Sequence, residues 1–240
     1  MLYLAVTNKE IKEVVFSIPN EKSARPDGYS NGFFMAAWDE IGPLVCNAIQ
    51  EFFTTGQLIT ECNATNLVVL PKNPHPITAA DFRTISCCTV IYRSISRLLC
   101  NRLKKVLPTI INPSQGAFVQ GKELLYNVLL SQELVQRYNR KNIFPRCLMK
   151  INLTKTYDLV HWEFIKEILE ALRFPTTFIT WIMACLTTTH FTITLNGGGS
   201  WTLQRSEGLE TRRPLITQRL CNYNRIPVKS SQDSKYYTLI

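Results

Sequence analysis

The stretch Leu148–Phe164, LMKINLTKTYDLVHWEF, has the form of a buried strand, a tight turn and a helix. Units of that shape often present a carboxylate at the strand end, where it can hold a metal. Here the strand carries Asn152, and the first acid follows only at Asp158. Asparagine keeps one oxygen and loses the charge. The stretch is therefore a metal site built differently, a former metal site, or a plain strand.

The surrounding composition narrows the class. The chain has 240 residues, 45% of them hydrophobic, enough for a sizeable core in one domain or two subdomains. Its formal charge is +9, which suits a polyanionic partner. The charge is also grouped. No acid lies between Asp81 and Glu123, a window that holds Arg83, Arg93, Arg97, Arg102, Lys104, Lys105 and Lys122. A second acid-free window runs from Glu133 to Asp158, with Arg137, Arg140, Lys141, Arg146, Lys150 and Lys155. Such windows fit a phosphate backbone better than a mixed solvated surface. The plainer alternative is that some, Arg97 and Lys104 among them, are ordinary solvent-facing helix cations.

The eight cysteines form no C-x-x-C pair and sit at no zinc spacing to His75, His161 or His190. Most lie in apolar runs, as reduced core residues of an intracellular protein do. The first ten residues lack the charged start and apolar length of a signal peptide. No apolar run approaches the roughly 18 residues of a membrane span.

Thr7 and Glu10 have capping-box spacing, so a helix is expected there, with Ile11, Val14, Val15 and Ile18 on its apolar face. Ser30 is placed to cap a second helix. Pro43 is expected to open a third, ending near Gly56. NLVVLPK reads as a strand stopped by Pro71, and residues 73–80 as a Pro-rich loop. A basic amphipathic helix is expected over Val90–Leu107 and another over Glu123–Tyr138. Further helices are expected over Trp162–Arg173 and Pro175–Leu186, then a glycine-turned hairpin, HFTITLNGGGSWTLQ. Strands interleaved with helices imply an α+β architecture with a small sheet. Periodicity fails after Arg205. The expected division is therefore 1–205 as the folded part and 206–240 as a degenerate, poorly ordered tail.

Several blocks, in order, carry a resemblance: IKEVVFSIPNEKSARPDGYS, NLVVLPK, DFRTISCCTVIYRSISRLLCNRLKKVLPTIINPSQGAFVQGK and the opening stretch. From Glu10 to Leu215 the chain resembles the reverse transcriptase domain of non-LTR (LINE-type) retrotransposons, the plant lineage in particular. The resemblance implies a right-hand polymerase fold, with fingers and part of the palm present and the thumb absent. It also implies RNA-directed DNA synthesis with Mg²⁺, on an RNA template or RNA/DNA duplex.

In that family the strand ends in aspartate, in a pattern like K-[VI]-D-L-x-K-A-[FY]-D, and a later [FY]-A-D-D hairpin supplies two more. Mg²⁺ needs anionic oxygens at roughly 2.0–2.1 Å, which carboxylates provide. Here the first position is Asn152, and no adjacent Asp-Asp pair occurs in the chain. Asp158 matches the second, non-metal acid of the pattern, or simply caps the helix at Trp162. The family block G-L-R-Q-G-D-P-L-S-P is matched by GLETRRPLIT, where Thr211, Arg212 and Arg213 replace glutamine, glycine and aspartate. Thr84 stands where F-R-P-I has proline, and Ala24-Arg25 stand where S-P-G-P-D-G has Pro-Gly.

By the same resemblance Lys72 and Arg83 match fingers residues that contact the triphosphate; otherwise they are surface cations beside a loop. Tyr157 matches the aromatic beneath the incoming sugar, or is a core aromatic at the turn. Gln115 and Phe118 match a block along the template, with Lys122 where arginine is usual. Arg97, Arg102, Lys104 and Lys105 are the expected backbone contacts. The expectation is a truncated, degenerate reverse transcriptase fragment without catalysis and with no metal of its own. The alternatives are a non-catalytic RNA/DNA-binding module, or a relic without function. No protein partner is inferable from the sequence.

Overall fold

The computed structural model describes residues 2–19, 26–78, 81–110, 124–136, 160–195 and 198–204. In chain order the elements are α1 (Asn8–Phe16), α2 (Asn31–Ala36), α3 (Trp38–Thr55), β1 (Ala64–Pro71), β2 (Phe82–Cys88), α4 (Val90–Ile110), α5 (Leu124–Gln136), α6 (Trp162–Ala171), α7 (Thr176–Thr187), β3 (His190–Leu195) and β4 (Gly198–Gln204). The mixture of helices with one small sheet is the α+β arrangement expected.

The Thr7 hydroxyl accepts the Glu10 N–H at 3.2 Å, so α1 begins at its capping box. Ile11, Val14, Val15 and Ile18 are all buried. Asn31 joins α2 to the end of α1. Its side-chain amide donates to the carbonyls of Val15 at 3.2 Å and Ile18 at 2.9 Å, at the end of α1 where helix carbonyls run short of intrahelical partners. Ser30 occupies the N-cap position of α2 without making a side-chain cap.

Pro43 does not open α3, which begins at Trp38 and carries the proline inside. Proline there withdraws the one N–H that would bond the Asp39 carbonyl, and Asp39 is exposed. Gly42 is needed for a different reason: a Cβ there would meet the Trp38 indole at 2.9 Å. Gly56 ends the helix at φ 72°, a left-handed cap. At the end of α6 the same conformation falls on Arg173, at φ 57°. There the Arg173 N–H bonds Glu170 O at 2.9 Å and the Phe174 N–H bonds Leu169 O at 3.0 Å. A side chain in that conformation costs about 1 kcal/mol that glycine would not.

The core lies between α1, α3, α4 and α7, with Ile11, Ile49, Phe52, Leu98, Phe178 and Ile182 within it. The sheet order is β2-β1-β3-β4. Strand β1 is antiparallel to β2 and parallel to β3, and β3 is antiparallel to β4. The parallel pair requires a long crossover, which the chain makes through α4–α7. Strand β2 was not expected from the sequence, which left 81–89 unassigned between the 73–80 loop and the helix at Val90.

A buried polar joint ties sheet to helices. The Asn63 amide donates to Thr188 Oγ1 at 2.6 Å, and Thr189 Oγ1 donates to Asn63 Oδ1 at 3.3 Å. The Tyr92 hydroxyl donates to Cys185 O at 3.1 Å, fastening α4 to α7. Among the described residues no helix is long and apolar enough to cross a membrane.

Candidate nucleotide and nucleic-acid interface

The β1–β2 hairpin positions two of the expected phosphate contacts. Its register sets Leu70 opposite Arg83 and Pro71 opposite Phe82. The Lys72 N–H extends the ladder by one step, donating to Asp81 O at 2.7 Å. Side chains alternate along a strand, so Leu70, Lys72, Asp81 and Arg83 share one face. Lys72 and Arg83 are diagonal neighbours, roughly 7–8 Å apart at that spacing. Both are exposed.

Asp81 closes the hairpin end. Its carboxylate accepts the Thr78 N–H at 2.8 Å, the Thr78 hydroxyl at 2.9 Å and the Ile77 N–H at 3.1 Å. A longer contact, 3.4 Å, comes from the Asn73 amide. The Thr78 N–H, then the Thr78 hydroxyl and the Ile77 N–H, hold the carboxyl below its ordinary value of 3.8, with the Lys72 charge adding to them. With a depressed folded pKa, these contacts are intact above the ordinary value. They are lost as pH falls through the lower folded value.

Helix α4 carries the other basic set. Arg93, Arg97, Asn101 and Lys105 repeat at intervals of four along one side, with Lys104 next to them. Arg97 and Lys104 are half-buried and Lys105 is exposed. Arg102 departs from the expectation. It is buried, donating to Leu2 O at 3.1 Å and to Glu10 Oε2 at 3.4 Å. Its guanidinium also lies 5.5 Å from the centre of the Phe53 ring. The charge faces the core, so Arg102 is a packing residue rather than a surface cation.

Asn152, Tyr157, Gln115, Phe118 and Lys122 lie outside the described residues, as do Asp158, the 208–215 block and the 206–240 segment. The N-cap of α6 is His161, not Asp158. Cys46, Cys88, Cys100 and Cys185 are buried. Burial raises the Cys46 and Cys62 thiols, with Glu61 and Asp27 adding to the effect at Cys62, so both stay protonated and unreactive near neutrality.

The β1–β2 hairpin thus presents two exposed cations, and α4 carries a separate basic stripe. The chain matches the family described as reverse transcriptase (RNA-dependent DNA polymerase) over residues 70–211, and it belongs to that family. Family members bind RNA template and nucleic-acid duplex and generally use Mg²⁺. The chain is 25% identical over 213 residues to a Xenopus laevis protein, "Transposon TX1 uncharacterized 149 kDa protein", covering 89% of this chain and 16% of that one. It is also 25% identical over 182 residues to the "Retrovirus-related Pol polyprotein from type-1 retrotransposable element R2" of Nasonia vitripennis, covering 76% and 17%. It is a reverse transcriptase fragment of non-LTR retrotransposon type, spanning about a sixth of the length of either relative.

The donor set for Mg²⁺ is poor. Asn152 offers a neutral oxygen where the family pattern has a carboxylate, and the chain contains no Asp-Asp pair. Among the described residues, no three His, Cys, Asp or Glu side chains gather in one place. A neutral amide oxygen is a weaker Mg²⁺ ligand than a carboxylate.

Proposed function

We propose that this intracellular chain forms the fingers and part of the palm of a right-hand polymerase and does not itself catalyse DNA synthesis. The observation that carries the reading is Asn152 at the metal-aspartate position. Lys72 and Arg83 take the triphosphate and Tyr157 underlies the sugar. Gln115, Phe118 and Lys122 follow the template. The test is primer extension by the purified 240-residue chain on an RNA template, with Mg²⁺ or Mn²⁺. No incorporation is expected, and none from Asn152→Asp, because one restored carboxylate cannot hold two metals. Incorporation by either protein sinks the inactive reading.

The α4 stripe favours a second reading, a backbone-directed RNA/DNA-binding module. Arg97, Lys104 and Lys105 would each displace a counterion, and affinity would fall as salt rises. A titration with an unstructured RNA at two salt concentrations checks this. Equal affinity at both would remove it.

A further inference from the structure

In the outer half of the β1–β2 hairpin Leu70, Pro71, Lys72, Arg83 and Thr84 are exposed, and Val69, Asp81 and Phe82 are half-buried. Two strands without packing on either face are marginal by themselves. The connection between them is long and contains no glycine, so it lacks the compact turn chemistry that usually sets a hairpin register. The backbone ladder sets the register as far as Pro71 and Phe82, and beyond it a further tie can hold Lys72 in its diagonal relation to Arg83.

Asp81 is placed to do so. Both of its carboxylate oxygens point into the turn, Oδ2 towards the Ile77 and Thr78 donors and Oδ1 towards Asn73. Its backbone acts at the same point. The Asp81 N–H bonds Thr78 O at 3.0 Å, and Asp81 O accepts the Lys72 N–H at 2.7 Å. One residue thus ties the turn to itself and to the strand end that bears Lys72. We propose that Asp81 is a positioning residue for triphosphate binding: it closes the turn on its carboxylate and so holds Lys72 and Arg83 on one face of the hairpin.

The proposal rests on reading Lys72 and Arg83 as phosphate contacts. It makes an unusual demand on sign. An acid beside two cations weakens phosphate binding if its charge is what matters, so neutralising it would tighten binding. If its hydrogen bonds are what matter, neutralising it loosens binding. Asparagine has nearly the shape of aspartate but no charge, and its neutral oxygen accepts the Ile77 and Thr78 donors more weakly than a carboxylate does.

The experiment measures binding of dATP in Mg²⁺ buffer to the full chain, to Asp81→Asn and to Lys72→Ala. A fourth protein carries Asp81→Asn with residues 73–80 replaced by Asn-Gly. That two-residue turn suits a hairpin whose flanking pair, here positions 72 and 81, is hydrogen-bonded. Asp81→Asn is expected to bind about tenfold more weakly. The Asn-Gly protein is expected to return to near the starting affinity, which a general loss of structure or of charge would not allow. Unchanged or tighter binding by Asp81→Asn overturns the proposal, as does an Asn-Gly protein as weak as the single variant. If Asp81→Asn fails to fold, the Asn-Gly protein alone decides, by binding like the parent or not. Failure of the underlying reading looks different: the parent chain would not bind dATP, or Lys72→Ala would bind equally well, and the proposal would fall with it.

Discussion

Arg102→Ala is expected to lower the unfolding free energy by about 3 kcal/mol, the largest effect of any basic residue on α4. Three contacts are lost together: the bond to Leu2 O, the ion pair with Glu10 and the approach to the Phe53 ring. Glu10 is one-third exposed, so the orphaned carboxylate can recover some hydration. That places the cost at the lower end of the range for a broken buried pair. Arg97→Ala and Lys105→Ala should change stability little. Urea unfolding separates the two classes. The RNA titration should separate them in the opposite sense, with Lys105→Ala reducing the salt dependence and Arg102→Ala leaving it intact in the folded protein. A stable Arg102→Ala protein with reduced RNA affinity would return Arg102 to the surface set.

Arg102 also shows why composition misled. Read as a basic window, it is one cation among several. Read by helical period, it falls on the apolar stripe made by Ile91, Ile95, Leu98, Leu99, Leu103 and Val106. Five residues after Arg97, it is turned by about 140° from that side chain. The signal was in the period, not in the charge. The elements with strong local signals were legible: the α1 capping box, the apolar face of α4 and the β3–β4 hairpin. Strand β2 was not. It is a sheet edge with partial burial on both faces, so its residues do not alternate as a half-buried strand does. That omission hid the arrangement of the candidate cations, because Lys72 and Arg83 became neighbours only when β2 paired with β1. Asp81 was invisible for the same reason. Its partners lie within the turn, and nothing in their spacing announces a clamp.

Phe178→Ala is expected to cost about 4 kcal/mol, a large part of the stability of a domain this size. Phe178 is fully buried, 5.8 Å from Phe174 and 6.3 Å from Trp181 between ring centres. Trp181 in turn meets Phe53 at 4.9 Å, so the ring cluster joins α7 to α3. Removing one ring leaves a cavity that Phe174 and Trp181 would have to close. Phe164→Ala, on α6 but 43% exposed, should cost far less and serves as the control. The consequence reaches the hairpin. Helix α7 leads into β3, β3 supports β1, and the Asn63–Thr188 bond pins that junction. If sheet and helices fold as one unit, tryptophan fluorescence and far-ultraviolet circular dichroism will report the same lowered transition in Phe178→Ala. Separate transitions would mean that the β-sheet outlasts the helical core. The hairpin bearing Lys72 and Arg83 would then owe its geometry to β1–β2 pairing and Asp81 alone.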